Sequence, residues 1–188
     1  MSVLCMLSIS IIIVSFLQVI PRTTIKLPNT QNKMHRLSGS QIRTQAIAGI
    51  TSLLGDHSNS WGHRVTNTVK FVPETGIKVD EISKEVQFSF TVTPDSCNGM
   101  PSLHGGAAAT LADVFTTVHL WGIDPASKHV STSLELSYGG AGELGAELTL
   151  HSRVTKMGRS LAFINFDIRN QKQEILVSGT HIKSMLTK

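Results

Sequence analysis

Residues 98–114 read NGMPSLHGGAAATLADV: a histidine, two successive glycines and, eight residues after the first glycine, one carboxylate. Gly105 and Gly106 open an alanine-rich run of helical character, although glycine is a poor helix former. A helix start has a chemistry of its own. Its first backbone N–H groups lack intrahelical partners and sit at the positive end of the helix dipole. Glycine leaves those groups unshielded. A carbonyl placed against them becomes more electrophilic, and losing one such donor costs an oxyanion ~2.7–4 kcal/mol of stabilisation. The same glycines also permit plain tight packing, and the residues alone leave both readings open. Asp113 lies between Ala112 and Val114. A carboxylate buried there is costly unless it is paired. Desolvation makes it hold a proton more tightly, which suits a general base working near neutrality. The bland alternative is a carboxylate satisfied by the hydroxyls of Thr110, Thr116 or Thr117.

Several other residues carry weaker signals. His104 either leans on a ligand or caps the helix. His119 reads as a satisfied core residue, and Ser131 as a polar strand residue. Arg159, in the turn GRS at 158–160, either offers a cation to a phosphate or is solvated. No His, Asp or Glu cluster has metal spacing, so no metal is expected, and no other cofactor is implied. No Gly-x-Ser-x-Gly elbow or Ser-His-Asp order is present. Cys5 and Cys97 are too few and too far apart for a disulfide framework.

These residues need elements to position them. Over 40–54, Ile42, Ala46, Ile50, Leu53 and Leu54 share one helical face. TVKFV and GIKVDEI suggest a hairpin about PETG. EVQFSFTVT alternates, with Val86, Phe88, Phe90 and Val92 facing one way. A helix is expected over about 104–120. It is apolar on nearly every side and therefore buried, and Trp121-Gly122 and DPAS break it. HVSTSLELSY places Val130, Thr132, Leu134, Leu136 and Tyr138 on one face. AELTLHSRVTK and SLAFINFDIRN join at Met157-Gly158-Arg159, and EILVSGTHIKSML follows. Strands linked by short turns make an antiparallel sheet, and the whole is an α+β layout. A single long helix wrapped by a curled antiparallel sheet fits this order.

Charge divides the chain. Residues 1–64 hold six Lys or Arg and Asp56 as the one acid, out of seventeen basic and thirteen acidic residues in all. The body is therefore near neutral, which argues against a nucleic-acid partner. Residues 1–20 carry no charge and match a bilayer core in length, at ~1.5 Å per residue. The division expected is a hydrophobic and basic targeting or anchor segment at 1–39 and a folded domain at 40–188. The segment reads as a mitochondrial targeting or anchoring sequence, as a membrane anchor elsewhere, or as the product of a mis-called start with Met34 as initiator. In the last case a cytoplasmic location follows.

The motifs NGMPSLHGG, Asp113, VST at 130–132 and KMGRSLAF at 156–163, in that order, resemble the hotdog-fold acyl-CoA thioesterases, in particular the phenylacetate-pathway type. The resemblance spans about residues 40–186. It implies a hotdog fold, with an antiparallel sheet around one long central helix and a helix before it. It also implies hydrolysis of acyl-CoA thioesters, with medium- or long-chain fatty acyl-CoA as the expected substrate. Two subunits would share one continuous sheet, as a homodimer or a dimer of dimers (a homotetramer). By the same resemblance, Asn98 and Gly105 hold the thioester carbonyl, Asp113 is the acid that activates water or attacks, and Ser131 positions water. His104, Gly106 and Arg159 are the expected substrate contacts. The chain departs from the family pattern at Pro101, usually Gly, and at YGGAG (138–142), where Pro-Ala usually follows the Tyr by two residues. A non-catalytic hotdog module that binds acyl-CoA or a protein is the second reading.

One geometric consequence follows. Eight residues of helix span ~12 Å, so Gly105 and Asp113 of one chain cannot touch one carbonyl. A twofold dimer, the commonest oligomer, would bring the helix start of one subunit to Asp113 of the other.

Overall fold

A computed structural model describes residues 36–56 and 60–186. The expected targeting or anchor run at 1–20 lies outside the described residues. Among the described residues, no helix is long and apolar enough to cross a membrane.

Among the described residues the first full helix, α1, covers Gly39–Asp56. It begins with a reciprocal cap: Ser38 Oγ accepts from the Gln41 N–H at 3.1 Å, and Gln41 Oε1 accepts from the Ser38 N–H at 2.8 Å. This satisfies two donors that the helix cannot. Its predicted face holds, with Ile42, Ala46 and Ile50 each fully buried. Two short helices follow, α2 (Trp61–Thr66) and α3 (Pro73–Gly76). The long helix α4 covers Gly105–Ile123. The strands are β1 (Ile77–Val79), β2 (Val86–Thr91), β3 (Lys128–Tyr138), β4 (Glu147–Met157), β5 (Leu161–Arg169) and β6 (Ile175–Leu186). They form one sheet in the order β1-β2-β4-β5-β6-β3, antiparallel at every pairing. The core lies between this sheet and α4. On β2, Val86, Phe88 and Phe90 alternate inward, and Phe88 stacks on Phe115 of α4 with centroids 4.6 Å apart. This is the expected hotdog arrangement, with α1 packed against the central helix and against β1.

Three local expectations are corrected. The hairpin about PETG does not form. Pro73 presets its φ for a helical first turn, so PETG is α3. Residues 68–72 contribute only an isolated bridge, Lys70 to Thr91, and the hairpin is instead β1 with β2. Trp121 and Gly122 do not end the long helix. A Cβ on Gly122 would lie 3.0 Å from Ile42, so the glycine lets α1 approach. The stop comes at Asp124, which leaves the helical region before Pro125, as a residue preceding proline tends to do.

The third correction bears on the site. Val130, Thr132 and Leu134 do not share a face, because a register shift interrupts β3. Ser131 pairs with Lys183 and Ser133 with Ile182. The extra residue turns Val130 outward, half exposed. Ser131 and Leu134 both face α4, Ser131 toward Asp113 and Leu134 toward the core.

Candidate active site

The start of α4 is built by its cap. His104 Nδ1 accepts from the Gly106 N–H at 2.9 Å and so caps the helix. The Gly106 N–H is thereby engaged within the chain. Gly105 is left as the glycine whose N–H the helix start presents. The Gly105 carbonyl accepts from the Tyr138 hydroxyl at 3.0 Å, which ties the helix mouth to the end of β3.

The preceding loop fixes Asn98. Its Oδ1 accepts from the Met100 N–H at 2.8 Å and from the Ser102 hydroxyl at 3.2 Å. This is a local Asx-type turn, and it engages the amide through its oxygen. The two departures from the family pattern meet here. Leu103 N–H donates to Gly142 O at 2.7 Å, and Leu144 N–H donates to Pro101 O at 3.0 Å. A Cβ on Gly142 would come within 2.6 Å of the Leu148 side chain, which would have to shift to admit it. Pro101 loses nothing by lacking an N–H, because its carbonyl makes the contact.

Asp113 and Ser131 come together within one chain. The Ser131 hydroxyl donates to Asp113 Oδ1 at 3.0 Å. Two residues that sequence reasoning missed complete the cluster. Lys183 Nζ donates to Thr117 Oγ1 at 2.7 Å, Ser131 Oγ at 3.1 Å and Asp113 Oδ1 at 3.4 Å. His181 Nε2 lies 2.9 Å from Ser131 Oγ, and its Nδ1 lies 2.6 Å from Thr116 Oγ1. Ser131 has one proton to give. When it donates to Asp113, His181 must present Nε2–H to Ser131. Burial first, then the Lys183 charge, pulls the His181 pKa down to about 4, so the ring is neutral near pH 7. His129, on the same face of β3, is likewise pulled down to about 4, mainly by burial.

The expected burial of Asp113 is corrected: its side chain is 46% exposed, whereas Lys183 is 3% exposed and His181 fully buried. The carboxylate is not satisfied by the three threonines named from sequence. The Thr110 hydroxyl donates to Gly106 O, the Thr116 hydroxyl contacts Ala112 O and His181, and Thr117 accepts from Lys183.

Gly105 and Asp113 do not meet in one chain. Gly105 lies against Tyr138 at the end of β3, and Asp113 against Ser131, seven residues earlier on that strand. Arg159 lies on the exposed β4–β5 turn. There Ser160 O accepts from Met185 N–H, and Leu186 pairs with Lys128 at the start of β3. This is the sheet end remote from Gly105. His119 is a core residue, as expected. It is fully buried, its Nδ1 lies 2.8 Å from Ser152 Oγ, and burial pulls it down to about 4.

A groove of about 440 Å³ lies between α1 and the end of α4, lined mainly by Ala48, Gly49, Leu53, Trp121 and Pro125. Thr117 and Trp121 follow Asp113 at four-residue steps, so the three share a helix row. His129 borders Trp121, with ring centroids 5.9 Å apart. The groove thus lies two turns further along the helix that carries Asp113.

Comparison with known proteins agrees with the fold and the motifs. The pattern of the thioesterase superfamily matches residues 100–177. Human acyl-coenzyme A thioesterase 13 is 30% identical over 95 residues, which cover 50% of this chain and 68% of that protein. Zebrafish thioesterase superfamily member 2 superposes with a TM-score of 0.60 at 24% identity, over 73% of this chain and 96% of its own. A thioesterase protein from Streptococcus pneumoniae, solved with coenzyme A, superposes with a TM-score of 0.54 at 21% identity, over 60% of this chain and 87% of its own. The chain thus belongs to the thioesterase superfamily.

Proposed function

We propose that this protein hydrolyses acyl-CoA thioesters to a free acid and CoA. The carrying observation is the Asp113–Ser131 pair, hydrogen-bonded at 3.0 Å on the α4–β3 seam. It is supported by the relatives, named as acyl-coenzyme A thioesterases, and by the bacterial neighbour solved with coenzyme A. In this reading the Gly105 N–H and the Asn98 amide polarise the thioester carbonyl. Asp113 either draws a proton from water or attacks the carbonyl carbon itself, with Ser131 orienting the nucleophilic partner. On the first route the water oxygen forms the new C–O bond, the C–S bond breaks, and the CoA thiolate takes up the proton that Asp113 drew. On the second, Asp113 forms a mixed anhydride as the C–S bond breaks, and water then hydrolyses that anhydride, restoring the carboxylate and supplying the proton to the thiolate.

Each site is built from two subunits. Asn98 and Gly105 come from one, Asp113 and Ser131 from its twofold mate, because they lie apart within a chain. The eleven-residue edge strand β3 is the place for that pairing, since an unpaired edge is a template for another strand. Arg159, remote from Gly105 in its own chain, reaches the coenzyme phosphates only through such pairing.

In this reading the acyl tail lies in the groove beside Trp121, and a medium or long fatty chain is the substrate it would suit. From Asp113 to Trp121 is eight residues of helix, ~12 Å. A carbon–carbon bond of ~1.5 Å advances an extended chain by roughly 1.25 Å, so a tail of roughly ten carbons reaches the groove. Residues 1–39 serve as a mitochondrial or membrane address in this reading. The deciding experiment is CoA release from acyl-CoAs of graded length. Hydrolysis that strengthens from short to medium and long chains is the expected result, and no release from any of them refutes the reading.

A further inference from the structure

We propose that Lys183 is a positioning residue, the fixed counter-charge that holds Asp113 and Ser131 in their working arrangement. This rests on the reading of Asp113 and Ser131 above. Lys183 is an unusual resident of a core-facing strand position. A buried ammonium is costly unless paired and fully hydrogen-bonded. Here its three donors meet three acceptors: Thr117 Oγ1, Ser131 Oγ and Asp113 Oδ1. Those acceptors come from α4 and β3, so one group on β6 ties together the two elements that carry the site. Thr117 lies one turn beyond Asp113, so the ammonium is anchored on the helix independently of the carboxylate.

The titratable groups facing Lys183 are Asp113 on α4, His129 on β3 and His181 on its own strand. Both imidazoles are neutral near pH 7, leaving Asp113 as the opposing charge. Burial lowers the Lys183 pKa from its ordinary value and the nearby carboxylate pulls it back up. The pair is thus mutually dependent: the lysine fixes the carboxylate, and the carboxylate keeps the lysine charged.

The test uses Lys183→Met and Lys183→Gln in the full chain, with wild-type hydrolysis as the control. Loss of one charged hydrogen bond at the site lowers kcat by about tenfold to a hundredfold, with KM little changed. The wild-type kcat profile should fall on the alkaline side, at a pH below the ordinary lysine value of about 10.4. That limb should vanish in both variants. A merely structural lysine gives no such limb. Folded variants with wild-type kcat, or with the alkaline limb intact, overturn the proposal.

A second measurement needs neither variant nor turnover. In the wild-type protein the Lys183 side-chain NMR signal titrates below the ordinary lysine range, and Asp113→Asn moves that midpoint lower still. A midpoint unmoved by Asp113→Asn overturns the proposal even where both Lys183 variants fail to fold. If wild type hydrolyses no acyl-CoA yet this coupling is present, the functional reading fails and the charge pair stands.

Discussion

Replacing Asp113 with asparagine is the sharpest probe of the proposed chemistry. Asn is nearly isosteric and keeps an oxygen at Oδ1, so the Ser131 hydroxyl at 3.0 Å retains its acceptor. What disappears is the negative charge and any capacity to take a proton or attack. The structural cost should be small. The Asp113 side chain is 46% exposed, and ion pairs with an exposed partner contribute ~0–1 kcal/mol. Lys183 is left facing an uncharged neighbour. Burial already weakens its hold on a proton, so it can shed the charge instead of bearing it unpaired. Catalytically, removing a general base or nucleophile costs ~10²–10⁴ in kcat, or roughly 3–5 kcal/mol of barrier at 1.36 kcal/mol per decade. The interaction lost is made in the transition state, so kcat and kcat/KM should fall together. Steady-state CoA release from a good acyl-CoA, alongside a thermal melt, measures both parts. A variant that melts like wild type and turns over within about fivefold of it would remove Asp113 from the chemistry.

Three further expectations follow from other parts of the structure. Mixing Asp113→Ala with Asn98→Ala chains under proven subunit exchange should restore roughly a quarter of all sites, since half of randomly paired dimers are mixed and one site in each is intact; no recovery would place the whole site within one chain. Ala48→Phe, which fills the groove from its rim, should lower kcat/KM for long acyl-CoAs at least tenfold and spare short ones; an equal effect at all lengths would deny the groove to the acyl tail. The third concerns pH. His119, His129 and His181 are each held near 4 in the fold, against about 6.5 unfolded. Depressed histidines are neutral when native, so their contribution is complete above about pH 6.5 and is lost as pH falls toward 4, by up to ~1.4 kcal/mol per pH unit for each proton taken up on unfolding. Tm should therefore drop between pH 6.5 and 4.5, and equal melts at pH 7 and 5 would mean that these rings are solvated in the native state.

What the sequence makes legible is what a repeating pattern can carry. The spacing of Ile42, Ala46 and Ile50 survives into a buried helix face, and Val86, Phe88 and Phe90 into a buried strand face. Asp113 and the glycines stand out because their residue types conflict with a helix interior. Lys183 and His181 do not stand out. On β6 both alternating sets carry polar residues, Ser178, Thr180 and Ser184 on one side and His181 and Lys183 on the other. Period two then says which residues share a face but not which face is inside. A buried lysine runs against ordinary preference, so composition points the wrong way. The link between the loop at Pro101–Leu103 and the segment at Gly142–Leu144 is hidden for another reason: it is made by backbone groups some forty residues apart, which no local pattern encodes.

The register shift in β3 shows how the two kinds of information are reconciled. Strict alternation would put Ser131 and Leu134 on opposite faces, since they are three residues apart. The core needs Leu134 inward, where it packs against the buried cluster. The candidate site needs Ser131 inward as well, to meet Asp113. One extra residue in the strand satisfies both, and bulges commonly re-aim side chains beside active sites in this way. The same step sets Ser131 opposite Lys183, which lets a single ammonium reach the serine and the carboxylate. Sequence reasoning errs at Thr132 because it assumes one period for a strand that serves the core at one end and the site at the other. The bulge is where those two demands meet, and the chemistry proposed for Asp113 depends on its position.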